Sequence, residues 1–230
     1  MNETHSSPHW SAGRIIGVTA LLAVWFGVAY WVGVEQLLVN DRQSLFAPIA
    51  ISVVVPVVGF LALYRLWWPF REFVLSQDIR TLTMLQHWRV LGFGFLTLYF
   101  HDVLPGLFAW PAGLGDVAIG LAAPFVVARL ARDPDYAASP GLVRFHLLGL
   151  LDFLVAVTTA GLAAGAFPAL IPAGISSAPM DVWPLNLFPS FFVPIFIILH
   201  LTVLFKVRQL RRAAEPRLAP VAGPVQQWER

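Results

Sequence analysis

The run from Ile15 to Val34 contains twenty consecutive residues without a charged side chain. A helix needs about 20 such residues to cross the hydrocarbon core of a bilayer. A secretory signal would have a shorter apolar core followed by a small-residue cleavage site, whereas Glu35 and Gln36 follow this run. We therefore predict that the run is a retained transmembrane helix.

Composition extends this prediction to the whole chain. Of the 230 residues, 58% are hydrophobic and only 12% are charged, too few to cover a water-soluble globule of this size. The formal net charge of +2 does not indicate a nucleic-acid partner, because the basic residues fall where cytoplasmic loops would lie. The absence of cysteine excludes disulfides, thiol nucleophiles and cysteine-ligated metals. The predicted partner is the lipid bilayer, and a homo- or hetero-oligomer stays open.

The apolar segments predict an all-α polytopic transmembrane helix bundle of about six spans in one domain, residues 1–212. The predicted spans are 15–34, 44–64, 88–104, 114–130, 143–165 and 185–205. The last residues, 213–230, are basic and then rich in Pro and Ala. This composition predicts a disordered tail.

The segments that join the second, third and fourth spans carry two further patterns. Leu75, Ile79 and Leu82 recur at helical spacing, while charged residues lie elsewhere on the wheel. This pattern predicts an interfacial amphipathic helix at 69–85. The prolines and glycines of residues 105–115 predict a tight connector after the third span.

The lysine and arginine residues indicate the orientation. If the N-terminus is cytoplasmic, Arg42 is the only one of the fifteen Lys and Arg residues that falls on the outer side. Cytoplasmic loops of membrane proteins carry an excess of Lys and Arg. Both termini are therefore predicted to be cytoplasmic, which agrees with an even number of spans.

The middle of the chain combines apolar, aromatic, Gly and Pro residues with a few ionisable ones. Residues 86–92 read QHWRVLG, and residues 104–116 read LPGLFAWPAGLGD. These stretches resemble segments of uncharacterised bacterial multi-pass membrane proteins. The resemblance covers about the middle third of the chain and implies a bacterial inner membrane. It implies no activity, ligand or catalytic residue.

Ionisable residues within the spans are the candidate functional residues, because charge is costly in hydrocarbon. They form a buried inner layer, with Asp152, His200, His146 and Arg89, and an outer-face layer, with His101, Asp102, Asp116 and Asp181. Asp152 and His200 have similar predicted depths, so they could meet and exchange a proton, as relays in transporters do. The alternative is a hydrogen bond that only joins two helices. Arg89 is expected near the inner surface, where it reaches lipid phosphate or pairs with an acid such as Asp78.

The outer-face layer has two interpretations. Imidazole and carboxylate groups are usual ligands of a divalent metal, although the spacing matches no known ligand motif. Alternatively, Asp116 favours the positive N-terminal end of the fourth span, His101 and Asp102 face headgroup water, and Asp181 is a loop residue.

Two further patterns concern haem and helix packing. His87, His146 and His200 raise the question of b-type haem, for which two histidines on facing helices would be axial ligands. Their predicted depths differ, so no cofactor is predicted, and haem b or a divalent metal stays an alternative. Gly161 and Gly165 form a GxxxG pair that permits close packing of helices.

These patterns favour a small-solute or ion transporter or permease-like protein with a buried, proton-sensitive Asp/His site. Three alternatives stay open: a membrane-embedded enzyme with an outer-face His/Asp metal site, a non-catalytic partner subunit, and a b-type haem protein. No Ser-His-Asp order, HExxH motif or phosphate loop is present in the sequence. The sequence therefore favours a role other than catalysis and indicates no catalytic residue.

Overall fold

The computed structural model describes residues 12–39, 48–166 and 174–214, and this part of the chain is helical, with no β-strand. The α-helices are α1 (Ala12–Val34), α2 (Pro48–Leu66), α3 (Trp68–Ser76), α4 (Ile79–Leu85), α5 (Phe93–Phe100), α6 (Gly106–Arg132), α7 (Pro140–Gly161) and α8 (Val193–Ala214). Short 3-10 helices cover Gln86–Gly92, Pro134–Ala138 and Ala178–Asp181, and π-helical segments cover Leu162–Ala166 and Phe188–Phe192. The predicted all-α fold class is confirmed.

Among the described residues, five helical stretches are long and apolar enough to cross a membrane, and they coincide with five of the six predicted spans. They are Ala12–Val34, Pro48–Leu66, Gly106–Arg132, Pro140–Ala164 and Phe188–Ala214. Their outward faces are apolar: in α7, Leu148, Leu151 and Leu154 are exposed, whereas His146 and Gly149 are buried. Apolar side chains outside and polar side chains inside are the arrangement of an integral membrane protein.

The third predicted span, 88–104, does not form a single α-helix. α4, the 3-10 helix Gln86–Gly92 and α5 follow one another without a gap, and we call this stretch, 79–100, the broken helix. Arg89 was predicted to lie at a helix end near the membrane surface. The structure instead places it in the middle of the broken helix, where it is buried.

The interfacial helix predicted at 69–85 is two helices, α3 and α4. The break follows Ser76, and Asp78 caps α4 by accepting a hydrogen bond from the Thr81 backbone N–H at 2.8 Å. α4 packs against α6 and α8, so Ile79 and Leu82 belong to the protein core. The amphipathic pattern that suggested a surface helix therefore reflects, in its second half, packing inside the bundle.

Residues 105–115 do not form the predicted connector. α6 begins at Gly106 and continues through Pro111. The glycines here permit close packing: a Cβ added at Gly113 would lie only 2.9 Å from the Leu96 Cγ of the broken helix. Pro and Gly end helices in water, but they are tolerated inside transmembrane helices when neighbouring helices pack closely.

Two apolar clusters lie towards opposite ends of the core. One includes Leu82, Leu130, Leu142 and Val203, and the other includes Phe95, Phe108 and Ala163. Arg89 lies between members of the two clusters on the broken helix, and Asp116 does so on α6. Asp152 lies between Leu142 of α7 and Ala163 of the π-helical segment that follows α7. These ionisable side chains therefore lie at mid-height in the bundle.

Parts of the sequence predictions lie outside the described residues. These parts are residues 1–11, residues 40–47, which include Arg42 and the start of the second predicted span, residues 167–173 of the last predicted connector, and residues 215–230 of the predicted tail. α8 itself continues to Ala214.

Candidate functional site

The 3-10 helix in the middle of the broken helix aligns polar residues on one face. In a 3-10 helix, residues three apart in sequence lie directly above one another. Gln86, Arg89 and Gly92 have this spacing and are the buried residues of the segment, whereas Trp88 and Leu91 are exposed. The change from α to 3-10 geometry therefore directs a guanidinium and an amide into the bundle and two large apolar side chains outward.

Arg89 is the centre of an ion network that joins four helical segments. Its side chain is fully buried, and its Nε donates to Asp116 Oδ1 on α6 at 2.7 Å. Its Nη2 is paired with Asp152 on α7, and its Nη1 donates to the His200 Nε2 on α8 at 3.0 Å. The guanidinium carbon lies 4.0 Å from the ring centre of Phe153. All three guanidinium nitrogens therefore have partners, and an aromatic ring covers the cation.

Three glycines make room for this network. A Cβ at any of them would collide with a side chain of the network, so each position accepts only a residue without one. The pairs are Gly92 with Asp116, Gly115 with Asp152, and Gly149 with His200. Gly115, which the sequence analysis assigned to a connector, is therefore part of the site.

A chain of hydrogen bonds continues from Arg89 towards α4. The Nδ1 atoms of His200 and His146 are 2.7 Å apart, the His146 Nε2 lies 3.3 Å from the Thr83 Oγ1, and this hydroxyl donates to the Ile79 carbonyl at 2.7 Å. Both imidazoles are fully buried. We refer to Arg89, Asp116, Asp152, His200, His146 and Thr83 together as the central network.

The donors and acceptors fix the direction of this chain. A guanidinium nitrogen only donates, so the His200 Nε2 accepts and neutral His200 carries its proton on Nδ1. That proton is donated to the His146 Nδ1, and neutral His146 then carries its own proton on Nε2 and donates it to Thr83. Every step has one donor and one acceptor, so both imidazoles are satisfied without a net charge.

Gln86 lies one 3-10 turn before Arg89 and is fully buried. Its Nε2 donates to the carbonyl of Phe196, which lies on α8 four residues before His200, at 3.4 Å. Its Oε1 has no hydrogen-bond partner among the described residues. A buried acceptor without a donor is costly, so this atom is a place where a polar ligand or water would be stabilised.

The structure brings together all four residues of the predicted inner layer. Asp152 and His200 are joined through Arg89, which bonds to both. Asp116 belongs to the same network, and not to the outer-face layer in which the sequence analysis placed it. Arg89 is thus paired with Asp116 and Asp152 and does not reach the membrane surface or pair with Asp78.

The other outer-face residues are not drawn into a comparable network. His101 and Asp102 are exposed at the end of α5, and Asp181 is partly buried in a short 3-10 helix. Burial raises the pKa of Asp181 to about 6. Among the described residues no group of three or more His, Asp or Glu side chains is arranged to hold a metal ion.

The two histidines that raised the question of haem contact each other directly. With 2.7 Å between their Nδ1 atoms and 5.0 Å between their ring centres, no space for a porphyrin exists between His146 and His200. His87 lies elsewhere, with its Nδ1 2.9 Å from the Gly120 carbonyl. Of the GxxxG pair, a Cβ at Gly161 would meet no atom within 4 Å outside its own helix.

Sequence reasoning missed Thr83, Gln86 and the role of Asp116. A signal for the first two was present, because Thr83, Gln86 and Arg89 are polar residues spaced by three in a stretch that is otherwise apolar except for His87. Such a stripe is typical of one face of a 3-10 helix. The pairing of Asp116 had no comparable signal, since it depends on the close packing of α6 against the broken helix.

Comparison with known proteins assigns the chain to a family. Residues 46–208 match the model of a domain of unknown function, DUF8737, and the chain belongs to this family. The matched range contains every residue of the central network, while α1 lies before it. No curated protein and no solved structure matches the chain.

Proposed function

We propose that this protein is a small-solute or ion transporter or permease-like protein in which the central network binds and releases a proton. The observation that carries the proposal is the charge balance of the network. Arg89 supplies one positive charge, Asp116 and Asp152 supply two negative charges when ionised, and both imidazoles are satisfied as neutral groups. The network therefore has one negative charge in excess.

An uncompensated charge in the interior of a membrane bundle is unfavourable, and a single proton would cancel it. The imidazoles are poor acceptors for that proton. The only unprotonated nitrogen of His200 faces a guanidinium donor, and that of His146 faces the Nδ1 proton of His200. The proton would therefore reside on Asp116 or Asp152, whose side chains retain 15% and 11% exposure.

The proposed topology has six crossings, with the broken helix as the third. Its two α-helical parts of seven and eight residues and its seven-residue 3-10 part together span roughly 36 Å, which exceeds the ~30 Å hydrocarbon core. Six crossings place both termini on one side, and the distribution of Lys and Arg makes that side cytoplasmic. We propose the bacterial inner membrane as the location.

The interrupted segments support a transport role. Discontinuous transmembrane helices at mid-depth are typical of the binding sites of secondary transporters. Here the 3-10 interruption carries Arg89, and π-helical segments adjoin α7 and α8, the helices that carry Asp152 and His200. Each interruption is a place where a helix can bend with few lost hydrogen bonds.

The test has two stages on the full chain in lipid vesicles. Infrared difference spectra recorded across pH should contain a C=O stretch of a protonated carboxylic acid that is lost in Asp152→Asn or Asp116→Asn and persists in the controls Asp102→Asn and Asp181→Asn. Proton uptake driven by a potassium gradient and valinomycin should then exceed that of vesicles with Asp152→Asn. Proton binding would be refuted if every titrating carboxylic-acid band persisted in both Asp152→Asn and Asp116→Asn. If the carboxylic-acid band is present but no proton uptake is measured, proton binding is supported and proton transport is refuted.

A further inference from the structure

One cavity of the described structure combines an apolar floor with a purely cationic rim. It has a volume of about 370 Å³ and lies in the groove between the start of α7 and the end of α8. Its lining residues are Val143, Leu204, Val207, Arg208, Arg211 and Arg212. None of them is acidic, so the arginines are not neutralised from within the cavity.

The order of these residues along α8 follows helical spacing. Leu204, Arg208 and Arg212 are four residues apart and therefore lie on one face of the helix. Leu204 is partly buried, and the two arginines are exposed. Over about 12 Å of helix, this face changes from apolar to cationic towards the end of the bundle.

One of the three arginines is held in place by the protein. The Arg211 Nε donates to the Ala138 carbonyl at 2.8 Å, just before α7 begins. This bond orients its remaining N–H groups at the rim of the cavity. A fixed planar guanidinium is well suited to bind phosphate oxygens in pairs.

A neighbouring cavity differs from the α7/α8 groove in the charge of its lining. It has a volume of about 390 Å³ and is lined by Arg129 and Arg144 together with Asp133 and Asp135. Its cations and anions are equal in number. An anion would therefore gain little net attraction there, whereas in the α7/α8 groove it would meet three cations.

We propose that the α7/α8 groove binds one anionic phospholipid, with its phosphate at Arg208, Arg211 and Arg212 and the first part of an acyl chain on Val143 and Leu204. A molecule with this order of charge and apolar surface matches the order along α8. Basic pockets between transmembrane helices at the cytoplasmic face are typical sites for anionic headgroups. The proposal is independent of proton binding at the central network.

The test titrates the full chain in detergent with phosphatidylglycerol and counts bound lipids by native mass spectrometry. The double variant Arg208→Gln/Arg212→Gln should lower the affinity for the first lipid roughly 25-fold, since each basic residue contributes about fivefold at an anionic headgroup. The matched control Arg65→Gln/Arg132→Gln removes two exposed arginines that do not line the groove, and should lower it less than about threefold. Thermal unfolding of both doubles verifies that they are folded.

Phosphatidylcholine and inorganic phosphate are the two comparison ligands. Phosphatidylcholine should bind more weakly than phosphatidylglycerol, and inorganic phosphate should not displace the bound lipid. Equal loss in the two double variants would overturn the proposal in favour of general surface attraction. If inorganic phosphate alone displaced the lipid, the groove would be a site for free phosphate and the proposal would be overturned. If the two lipids bound equally well, the proposed preference for an anionic headgroup would be refuted.

Discussion

The central network and the polar residues at the far end of α5 began with similar sequence signals, and the structure treats them differently. Asp116, His101 and Asp102 are all ionisable residues at the ends of apolar stretches. Asp116 is bonded to a buried arginine from another helix, whereas His101 and Asp102 are exposed. What separates them is the presence of a compensating partner on a neighbouring segment.

This difference teaches how a membrane bundle accommodates charge. The partners in the central network come from the broken helix, α6, α7 and α8, so no single helix could hold the charge alone. Removal of the arginine leaves two buried carboxylates without their cation, whereas removal of a solvated residue leaves no buried charge unpaired. The consequences of substitution should therefore differ by several kcal/mol between the two regions.

The largest effect is expected for Arg89→Met. It leaves Asp116 and Asp152 buried without their cation, which should destabilise the protein by about 3–5 kcal/mol or prevent folding. His101→Ala should change the free energy of unfolding by less than about 0.5 kcal/mol. Reversible denaturation in mixed detergent micelles measures both values. The triple variant Arg89→Met/Asp116→Asn/Asp152→Asn should recover much of the loss; equal stability of the two single variants would contradict the comparison.

A smaller effect is expected from filling the space beside the network. In Gly149→Ala the new methyl group would collide with the His200 imidazole and lie 3.1 Å from the Arg89 Nη1. Overpacking of this kind costs about 1–3 kcal/mol. Gly161→Ala is the matched control, because its methyl group meets no described atom within 4 Å outside its own helix, and it should be neutral or slightly stabilising. Thermal unfolding of the two variants measures the difference in stability. A destabilised Gly161→Ala would instead support the predicted close packing of helices at the GxxxG pair.

The hydrogen-bond chain can be broken at its far end with Thr83→Val. This change removes the acceptor of the His146 Nε2–H, and leaving a buried donor unsatisfied should cost about 1–3 kcal/mol. Thr158→Val is the control, since Thr158 is exposed and bonds only to the backbone of its own helix. Nitrogen NMR of labelled histidine in the native protein should show neutral rings, with the proton on Nδ1 of His200 and on Nε2 of His146. A charged imidazolium at neutral pH would contradict the assigned direction of the chain.

The sequence was sufficient for the long apolar helices, for a physical reason. In a run such as 15–34, the apolar side chains must avoid water and the backbone N–H and C=O groups must still be hydrogen-bonded. A buried or membrane-spanning helix meets both requirements. The same argument covers α2, α7 and α8. It does not depend on which other helices are neighbours, so it needs no tertiary information.

The broken helix and the partners in the network could not be obtained in this way. Two sound rules pointed in the wrong direction: Arg89 was assigned to a membrane surface because charge is costly, and 105–115 to a loop because Gly and Pro end helices. Both rules assume that a segment is judged alone. Arg89 is tolerated because Asp116 lies opposite, and Gly113 is helical because Leu96 packs on it.

The smallest predicted effect concerns Asp181, which lies between the two extremes because it is partly buried and has no ion pair with the described residues. Burial raises its pKa from 3.8 to about 6 in the folded protein, so the folded state favours the neutral carboxyl group. The resulting stability is fully present below about pH 4 and is lost as the pH rises through about 6. Asp181→Asn should therefore be more stable than the native protein at pH 7, by about 1 kcal/mol after solvent screening, and equal to it near pH 4. Thermal unfolding of both proteins across this range measures the difference. If the difference in stability did not change with pH, Asp181 would be solvated in the folded protein. It would then resemble the exposed residues His101 and Asp102.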